Sequence, residues 1–479
     1  MGNPDVVVIG SGPNGLAAAI ELQKNGLQVV IVEGADTIGG GTRTSELTLP
    51  GFNHDHCSAV HPMGFLSPFF QSLSLQEHGL EWVFPKASIA HPLDNEPAVI
   101  QYRSIEDTKL SIGGKDGIKW EKTLTPFVKK ADVLFKDILG PLGWPDEPFT
   151  LANFGLKGML PASSLANSLF SQTRAKALFA GCSTHSILPL DMSFSSAVGL
   201  VFAISGHVVD WPVAKGGSIA IANALASYFI KAGGKIITNC FISSMEDLPK
   251  ADYYFFDTDP LQLSNIAEKQ LPANYINRLR KFNFGPGVFK IDWALRSSIP
   301  WKDANCLKAS TVHVGGTLPE IAQSEKDAWN GRHSESPFVM VCQQSEFDFS
   351  RAPSGMQTGY AYCHVPNGST KDMTLAIEKQ IERFAPGFKD TILERKTTNT
   401  SQFYNYNRNF FGGTIAGGAA DLTQLFTRPV ARLNPYSTPN PKIYICSGST
   451  PPGGGVHGMC GYRAARSFIK SLRKCLRKA

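Results

Sequence analysis

The chain lacks the features of a disulfide framework, a metal centre and a membrane span. Its 479 residues include nine cysteines, an odd number, and no two of them form a CxxC pair. A disulfide framework, a zinc site and a dithiol redox centre are therefore not expected. The longest mostly apolar run, Ser196 to Ile204, is shorter than the roughly 18–20 residues that cross a bilayer. With no leader of the secretory type before the first strand, a cytoplasmic location is predicted.

The body of the chain also lacks an excess of either charge. The net charge is +6, and the other 40 Lys and Arg residues balance the 40 acids once one segment is set aside. That segment is a predicted last helix from Arg466 with six cations and no acid: Arg466, Lys470, Arg473, Lys474, Arg477 and Lys478. A nucleic-acid partner is not expected, because no basic groove crosses the body. The helix is amphipathic, which fits either a membrane-surface contact or cations that complement its C-terminal dipole.

The first positive signal is a glycine-rich turn near the N-terminus. Four apolar residues, Val6 to Ile9, predict a buried strand, and Gly10, Gly12 and Gly15 follow at GxGxxG spacing before an Ala-rich helix. In a dinucleotide site these glycines allow the tight turn, the approach of a pyrophosphate and the close packing of the helix. The helix N-terminus then faces the phosphate charges.

A second apolar strand ends in Glu33, 23 positions after Gly10. A carboxylate there would meet the two ribose hydroxyls of an unphosphorylated adenosine half. The alternative is an ordinary acid at a strand end. Strand, glycines, helix and acid in register favour dinucleotide binding.

A second glycine-rich loop lies near the C-terminus. Two prolines end a strand, and Gly453, Gly454 and Gly455 would let the backbone pass flat against a planar ligand before the last helix begins. That helix N-terminus would favour negative charge on the ring of a reduced flavin. Together with the N-terminal turn, this loop favours FAD over NAD.

On these residues the chain resembles the phytoene-desaturase-like FAD-dependent oxidoreductases of the amine-oxidase/glutathione-reductase superfamily. Within them it is most similar to the bacterial branch related to pyridine nucleotide-disulphide oxidoreductase domain-containing protein 2. The resemblance covers nearly the whole chain and rests on six segments: Val8 to Leu16, Lys215 to Ser218, Arg351 to Pro353, Tyr362 to Pro366, Glu382 to Phe388 and Ser449 to Tyr462. The last of these is unusually specific. The disulphide chemistry in that name is not expected here, because the chain has neither a CxxC dithiol nor a second GxGxxG segment.

The resemblance implies a set of FAD-binding residues along the whole cofactor: Gly10, Gly12, Pro13, Asn14, Gly15, Glu33, Gly40, Gly41, Thr42, Ile242, Gly448, Gly455, Val456 and His457. One departure concerns the ribityl region, where Ser447 and Gly448 stand in place of the superfamily's Gly-Asp pair. A carboxylate contact is therefore missing there.

The predicted fold is α/β, with a discontinuous Rossmann-like FAD domain and a substrate domain of antiparallel sheet plus helices. The FAD domain is predicted to comprise residues 1–75, 208–285 and 425–479, and the substrate domain residues 76–207 and 286–424. Short β-rich runs between Gly287 and His364 predict the antiparallel sheet, and residues 80–208 are predicted to be helical and loop-rich.

Three side chains are candidates for catalysis. Lys290 lies on a predicted strand where amine-oxidase relatives place a lysine near the flavin, and a solvated strand face is the alternative. His364 lies at the end of a predicted strand, as a pocket residue or a loop anchor. Gln343 and Gln344, at another strand end, are candidates for the pocket lining only, with the same alternative. His457 is predicted beside the flavin. No metal site is expected, although His54, His56 and His61 lie close together, because no accompanying ligand motif is present.

These signals predict dehydrogenation of an apolar or polyene-like small molecule by hydride transfer to FAD, with oxygen or a quinone as acceptor. Two alternatives remain open: a flavin-dependent double-bond isomerase without net redox, and a lipid- or prenyl-binding escort without catalysis. The oligomeric state is left open.

Overall fold

A computed structural model describes residues 3–140 and 144–476. The strands within these ranges are β1 Val6–Ile9, β2 Val29–Val32, β3 Thr44–Glu46, β4 Asn53–Asp55, β5 Trp82–Val83, β6 Ala87–His91, β7 Val99–Gln101, β8 Val213–Ala214, β9 Lys235–Ile237, β10 Tyr253–Phe256, β11 Gly287–Leu295, β12 Ala309–Val314, β13 Val339–Cys342, β14 Gln357–Val365, β15 Ile392–Thr398 and β16 Ile443–Ile445.

The helices begin with the one that follows the GxGxxG turn. They are α1 Pro13–Lys24, α2 Pro62–Phe65, α3 Pro68–Gln71, α4 Ile105–Ile112, α5 Gly114–Val128, α6 Ala131–Ile138, α7 Pro148–Gly158, α8 Ala162–Leu169, α9 Thr173–Thr184, α10 Ser195–Val209, α11 Ile219–Lys231, α12 Pro260–Ile266, α13 Ala273–Leu279, α14 Leu318–Trp329, α15 Thr374–Phe384, α16 Phe388–Thr391, α17 Thr400–Tyr406 and α18 Met459–Leu476.

The first sheet is parallel and has the order β16-β10-β1-β2-β9 in the described chain. Its strands are short and apolar because helices cover both faces, as parallel sheets require. On one face, α1 packs between α11 and α18. The strands come from three separate segments of the chain. Because they run parallel, the carboxyl ends of β1, β2 and β10 lie at one edge of the sheet. The predicted α/β class with a Rossmann-like domain is confirmed.

The second sheet has the order β15-β11-β14-β13-β12-β6-β7 in the described chain. Its neighbours are antiparallel except β12 and β6, which pair in parallel. This pair departs from the antiparallel pattern that the sequence predicts. Strands β6 and β7 lie in the segment predicted to be helical and loop-rich, and β6 is too short to show a period of its own. It becomes a strand because β12 offers it a buried edge.

The two faces of this second sheet differ in chemistry. The odd-numbered residues of β11, such as Ile291 and Trp293, pack with Ile377 and Phe384 of α15 in an apolar core. The even-numbered residues Lys290 and Asp292 point to the opposite face, because successive side chains of a strand alternate. That opposite face looks toward the parallel sheet and the helices α9 and α10.

The last helix, α18, begins at Met459, directly after the C-terminal glycine-rich loop, and includes the cationic segment from Arg466. Phe468 and Ile469 of its apolar side are buried against Tyr253 and Phe255. Arg466 contacts Glu21 at 3.3 Å. The apolar side of this helix is therefore occupied by the protein itself, while Arg477 and Lys478 lie outside the described residues. No helix of the described chain is long and apolar enough to span a membrane.

Candidate cofactor and substrate site

A cleft of about 610 Å³ runs along the carboxyl edge of the parallel sheet. Most of the predicted FAD-binding residues line it: Gly10, Gly12, Pro13, Asn14, Glu33, Gly40, Gly41, Thr42, Ile242, Gly448, Gly455 and Val456. Gly15 and His457 are not among the lining residues. The structure thus brings the two glycine-rich loops, separated by more than 400 residues, onto one cleft.

The glycines of the first turn are required by close backbone contacts. A Cβ on Gly15 would lie 2.1 Å from the carbonyl oxygen of Gly10, and a Cβ on Gly40 would lie 3.2 Å from the Cα of Gly12. The turn is narrow, and no side chain of its own fills the space before the N-terminus of α1. This cradle fits a pyrophosphate, whose charge would meet the positive end of that helix.

The loop near the C-terminus is equally tight. A Cβ on Gly454 would lie 2.2 Å from the carbonyl oxygen of Ala416, and a Cβ on Gly417 would lie 2.6 Å from the carbonyl group of Gly448. Ile415, Gly417 and Val456 line the cleft beside this contact. Two backbone segments thus form a flat wall with little side chain on it, as a planar ring requires.

Glu33 lies at the other end of the cleft. Its Oε2 accepts hydrogen bonds from the backbone N–H and the hydroxyl of Ser11, at 2.9 and 2.6 Å. Its Oε1 accepts from the Ala35 N–H at 2.9 Å and contacts Arg43 at 3.2 Å. An ionised carboxylate accepts about four hydrogen bonds, so all its positions are in use. Among these donors only the Ser11 hydroxyl turns freely, and it is the one a ribose hydroxyl would replace.

His457 lies behind the cleft wall rather than on it. Its side chain is buried, its Nδ1 accepts the N–H of Met459 at 3.0 Å, and burial lowers its pKa to about 4. A Cβ on Gly455 would lie 3.0 Å from its Cδ2. The imidazole therefore supports the glycine loop from beneath as a neutral group. Its predicted catalytic role has no contact with the cleft.

Lys290 is buried in an ion network behind the cleft, and the alternative of a solvated strand face was wrong. Its ammonium is paired with Asp292 and lies 4.3 Å from the centre of the Tyr360 ring. Tyr360 in turn donates to the carbonyl oxygen of Cys57, which lines the cleft. Neither Lys290 nor Tyr360 is among the residues that line the cleft, and the catalytic role of Lys290 stays a prediction.

His364 is not among the lining residues either. Its Nδ1 lies 2.6 Å from Oε2 of Glu325 on α14, and both side chains are 2% exposed. Its catalytic role stays a prediction.

The same network joins three segments of the chain. Arg351 contacts Asp55 at 3.0 Å and Asp348 at 2.9 Å, and Asp55 accepts the N–H of Ser218 at 2.8 Å. Arg351 and its hydrogen bonds hold the pKa of Asp55 below its ordinary value despite burial. The motif at Lys215 to Ser218 is therefore a structural junction, and Gly216 donates to Asp348 at 2.7 Å.

The three clustered histidines turn to different partners. His54 faces Asp292 at 3.6 Å, His56 stacks on Tyr406 at 4.6 Å, and His61 bonds Ser218 at 2.8 Å. The described residues contain no group of three His, Cys, Asp or Glu side chains placed to hold a metal ion.

Sequence reasoning missed two parts of the cleft. Asp257, at the end of β10, is buried, accepts the N–H of Gly15 at 2.9 Å, and lines the cleft. Burial raises its pKa to about 8. A signal was available, because an acid directly after a parallel strand lies at the ligand-binding edge. The second part is the segment 405–410, whose Tyr406 donates to the carbonyl oxygen of Gly40 at 2.7 Å. The sequence of this segment contains no motif that indicates a ligand-binding loop.

The comparisons with known proteins agree with this geometry. Residues 8–73 match the family described as NAD(P)-binding Rossmann-like domain. The chain is 25% identical to pyridine nucleotide-disulfide oxidoreductase domain-containing protein 2 of Rattus norvegicus, over 98% of this chain and 94% of that protein. The chain is a homologue of that oxidoreductase. The predicted relationship is confirmed.

Two further matches extend over the whole chain. One of the limonene dehydrogenase subunits of Castellaniella defragrans is 22% identical, with 98% of this chain and 95% of that protein covered. The structure of putrescine oxidase bound to putrescine superposes with a TM-score of 0.61 and 16% identity, covering 98% and 99% of the two chains. The second match shows that this chain shares its fold with putrescine oxidase. The chain is thus similar over nearly its whole length to two proteins named as oxidoreductases, and it shares its fold with a third.

Proposed function

We propose that this protein is an FAD-dependent oxidoreductase that dehydrogenates an apolar small molecule, with oxygen or a quinone as the final acceptor. The observation that carries the proposal is the single cleft between Glu33, the N-terminus of α1 and the flat wall at Gly417 and Gly454. It offers an acceptor for ribose, the positive end of a helix for pyrophosphate and a surface for a planar ring, in that order.

FAD would supply the hydride acceptor when bound. The residues of this chain then have separate duties. Glu33 and Ser11 fix the ribose, the first turn of α1 holds the pyrophosphate, and the wall at Gly454 supports the ring. The apolar part of the cleft, lined by Val60, Met63 and Phe202, would hold the substrate and exclude water.

An apolar substrate is supported by these three side chains and by the name of one relative, a limonene dehydrogenase. The fold shared with putrescine oxidase does not favour an amine, because such likeness extends to the fold alone.

The first test is the visible absorption spectrum of the purified protein, followed by identification of the released chromophore. FAD released from a two-banded flavin spectrum is the expected result. Anaerobic bleaching by limonene or another cyclic monoterpene, with colour restored by oxygen or a soluble quinone, would support the dehydrogenase reaction. A colourless protein that refuses added FAD would support the escort alternative, and turnover without acceptor consumption would support the isomerase.

A further inference from the structure

Residues 405–410 form a strap that lines the cleft and is fastened on both sides of the first glycine turn. The Tyr406 hydroxyl donates to the carbonyl oxygen of Gly40 at 2.7 Å. The amide nitrogen of the Asn409 side chain donates to the carbonyl oxygen of Asp257 at 2.9 Å. The strap therefore joins the loop that follows β2 to the loop that follows β10.

Both anchors lie against the turn itself. A Cβ on Gly40 would lie 3.2 Å from the Cα of Gly12, and a Cβ on Gly10 would lie 3.1 Å from the carbonyl oxygen of Asp257. Residues 407 and 408 lie between the two anchors. They are thus held near the space that the turn leaves before the N-terminus of α1.

The anchors are fixed by contacts within the protein. Oδ1 of Asn409 accepts hydrogen bonds from the Asp259 N–H at 2.8 Å and from Nε2 of Gln262 at 2.6 Å. The ring of Tyr406 stacks on that of His56, with 4.6 Å between the ring centres. The position of the strap is therefore set before a ligand arrives, which lowers the entropy cost of binding.

Arg408 is the cation of the strap, and its charge is unpaired. Two cations, Arg43 and Arg408, line the cleft in the described chain. Arg43 is already engaged, because its Nη2 contacts Glu33 at 3.2 Å and donates to the carbonyl oxygen of Thr37 at 2.9 Å. Arg408 is exposed, and its Cζ lies 4.6 Å from the centre of the Tyr404 ring. Its guanidinium has no ion pair or hydrogen bond with a described residue.

A bound pyrophosphate would leave negative charge that α1 alone does not balance. The pyrophosphate of a dinucleotide carries two negative charges, whereas a helix N-terminus supplies about half a positive charge. A guanidinium is always charged in proteins, and its planar N–H groups match two phosphate oxygens at once. Arg408 therefore has the charge and the donors that the turn lacks.

We propose that the guanidinium of Arg408 binds the pyrophosphate of the dinucleotide, and that Tyr406 and Asn409 are positioning residues that hold the strap beside it. The proposal rests on the proposed function in that the same cleft holds FAD. It adds a phosphate contact from a segment that is distant in the chain from the glycine turn. Another adenosine dinucleotide would present the same pyrophosphate, so the test separates the phosphate from the flavin.

The test is isothermal titration calorimetry of the full-length protein, freed of bound nucleotide, with ADP and with adenosine. The two probes share the nucleoside, but only ADP carries the pyrophosphate. Arg408→Met should weaken ADP binding about tenfold and leave adenosine binding unchanged, because one charge-assisted contact is lost. Arg408→Lys keeps the charge without the planar donors and should retain part of the affinity. Added salt should weaken ADP binding more in the wild type than in Arg408→Met.

Arg432→Met is the matched control. Arg432 is also exposed, and its Cζ lies 5.8 Å from the centre of the Tyr275 ring, but it does not line the cleft. This variant should bind ADP as the wild type does. The unfolding midpoint of each variant, read by circular dichroism, shows that the chain is folded.

Asn409→Ala tests the positioning role. Without this anchor the strap no longer holds Arg408 in place, so Arg408→Met added to this variant should cost little further ADP affinity. Losses that add in the double variant would overturn the positioning role and show that the two residues act independently.

Unchanged ADP affinity in Arg408→Met, equal losses for ADP and adenosine, or no binding of ADP by the wild type would overturn the proposal. A parallel titration with FAD keeps it apart from the proposed function. ADP binding that depends on Arg408, in a protein that does not bind FAD, would reject the proposed function and leave the phosphate contact standing. FAD binding that is equal in wild type and Arg408→Met would reject the contact and leave the function standing.

Discussion

The two sheets of this protein differ in where their polar and charged residues lie. In the parallel sheet both faces are apolar, and the polar residues Glu33 and Asp257 lie where strands end. In the second sheet one face carries charged and polar side chains among apolar ones, and Lys290, Asp292 and His364 lie in the middle or at the end of strands, buried within the protein. The first sheet therefore builds its site from short loops, whereas the polar residues of the second are buried on a face assembled by distant segments.

This difference has an energetic consequence. A strand-end residue such as Glu33 faces the cleft rather than the apolar core, so its substitution need not disturb the core. A charged residue on a buried face is stable only with its partner, because the desolvation of an unpaired charge is costly. Substitutions in the second sheet should therefore affect folding first, and those at the edge of the first sheet should affect cofactor binding first.

The largest effect is expected for Lys290→Met. The substitution leaves Asp292 buried without its cation, which should cost about 3–5 kcal/mol of unfolding free energy in denaturant titrations at pH 8. Burial already raises the pKa of Asp292 to about 6. The contribution of this carboxyl to the free energy of unfolding is therefore greatest below its unfolded pKa and is lost as the pH rises through 6. At pH 5 the carboxyl is mostly protonated and needs no cation, so the variant should lose less stability there than at pH 8.

The control for this substitution is Lys326→Met, whose partner Asp191 is about half exposed. An exposed pair contributes roughly 0–1 kcal/mol. Similar losses for the two variants would contradict the contrast between buried and exposed charge. Unchanged stability but slowed flavin reduction in Lys290→Met would instead support the catalytic role that the sequence predicts.

A smaller effect on folding, with loss of cofactor, is expected for Gly15→Ala. The new Cβ would meet the carbonyl oxygen of Gly10 at 2.1 Å, so α1 must move away from the turn. Overpacking of this kind costs about 1–3 kcal/mol. The FAD content after gel filtration should fall more than the unfolding midpoint. Gly155→Ala is the matched control, because no atom lies within 4 Å of its Cβ, and it should retain FAD and full stability.

Glu33→Gln should weaken FAD without a comparable loss of stability. The amide replaces an acceptor that faces the donors Ser11, Ala35 and Arg43, and hydrogen bonds to a charged group contribute about 1.5–3 kcal/mol. Reconstitution of deflavinated protein, followed by fluorescence quenching, gives the dissociation constant. Glu46→Gln, at an exposed carboxylate, is the control. Equal FAD affinity in wild type and Glu33→Gln would exclude the ribose contact.

The smallest effect is a pH dependence carried by Asp257. Its carboxyl accepts the N–H of Gly15 beneath the turn, with Glu33, Asp259 and the thiols of Cys446 and Cys460 as the titratable groups of the surrounding elements. Because its pKa is raised to about 8, the group is neutral at pH 7 and ionised at pH 9. The anion repels a pyrophosphate, so FAD affinity should fall about tenfold between these pH values.

Asp257→Asn mimics the neutral form and should bind FAD with the same affinity at pH 7 and pH 9. The measurement is the same reconstitution titration, repeated across this range. A wild-type affinity that does not change with pH, or an asparagine variant that follows the wild type, would show that Asp257 does not sense the phosphate charge.

The sequence determined the parallel half of the molecule and its cleft. The glycines, the apolar strands and Glu33 act over short distances, so their spacing alone indicates the turn, the helix and the strand end. The loop at Gly453 to Gly455 was predicted in the same way. The boundaries predicted for the two domains stay predictions, although the strands of the parallel sheet come from the three segments assigned to the first domain.

Only the tertiary structure determined the partners of the buried polar residues in the second sheet. Lys290 could not be assigned to a solvated or buried face from its strand alone, because the outcome depends on Tyr360 and Asp292 packing around it. The pairing of His364 with Glu325 joins β14 to α14 across 39 positions, and β6 becomes a strand only beside β12. A periodic sequence pattern reflects the local backbone conformation. The partner of a buried charge depends instead on which distant segment packs against it in the folded chain.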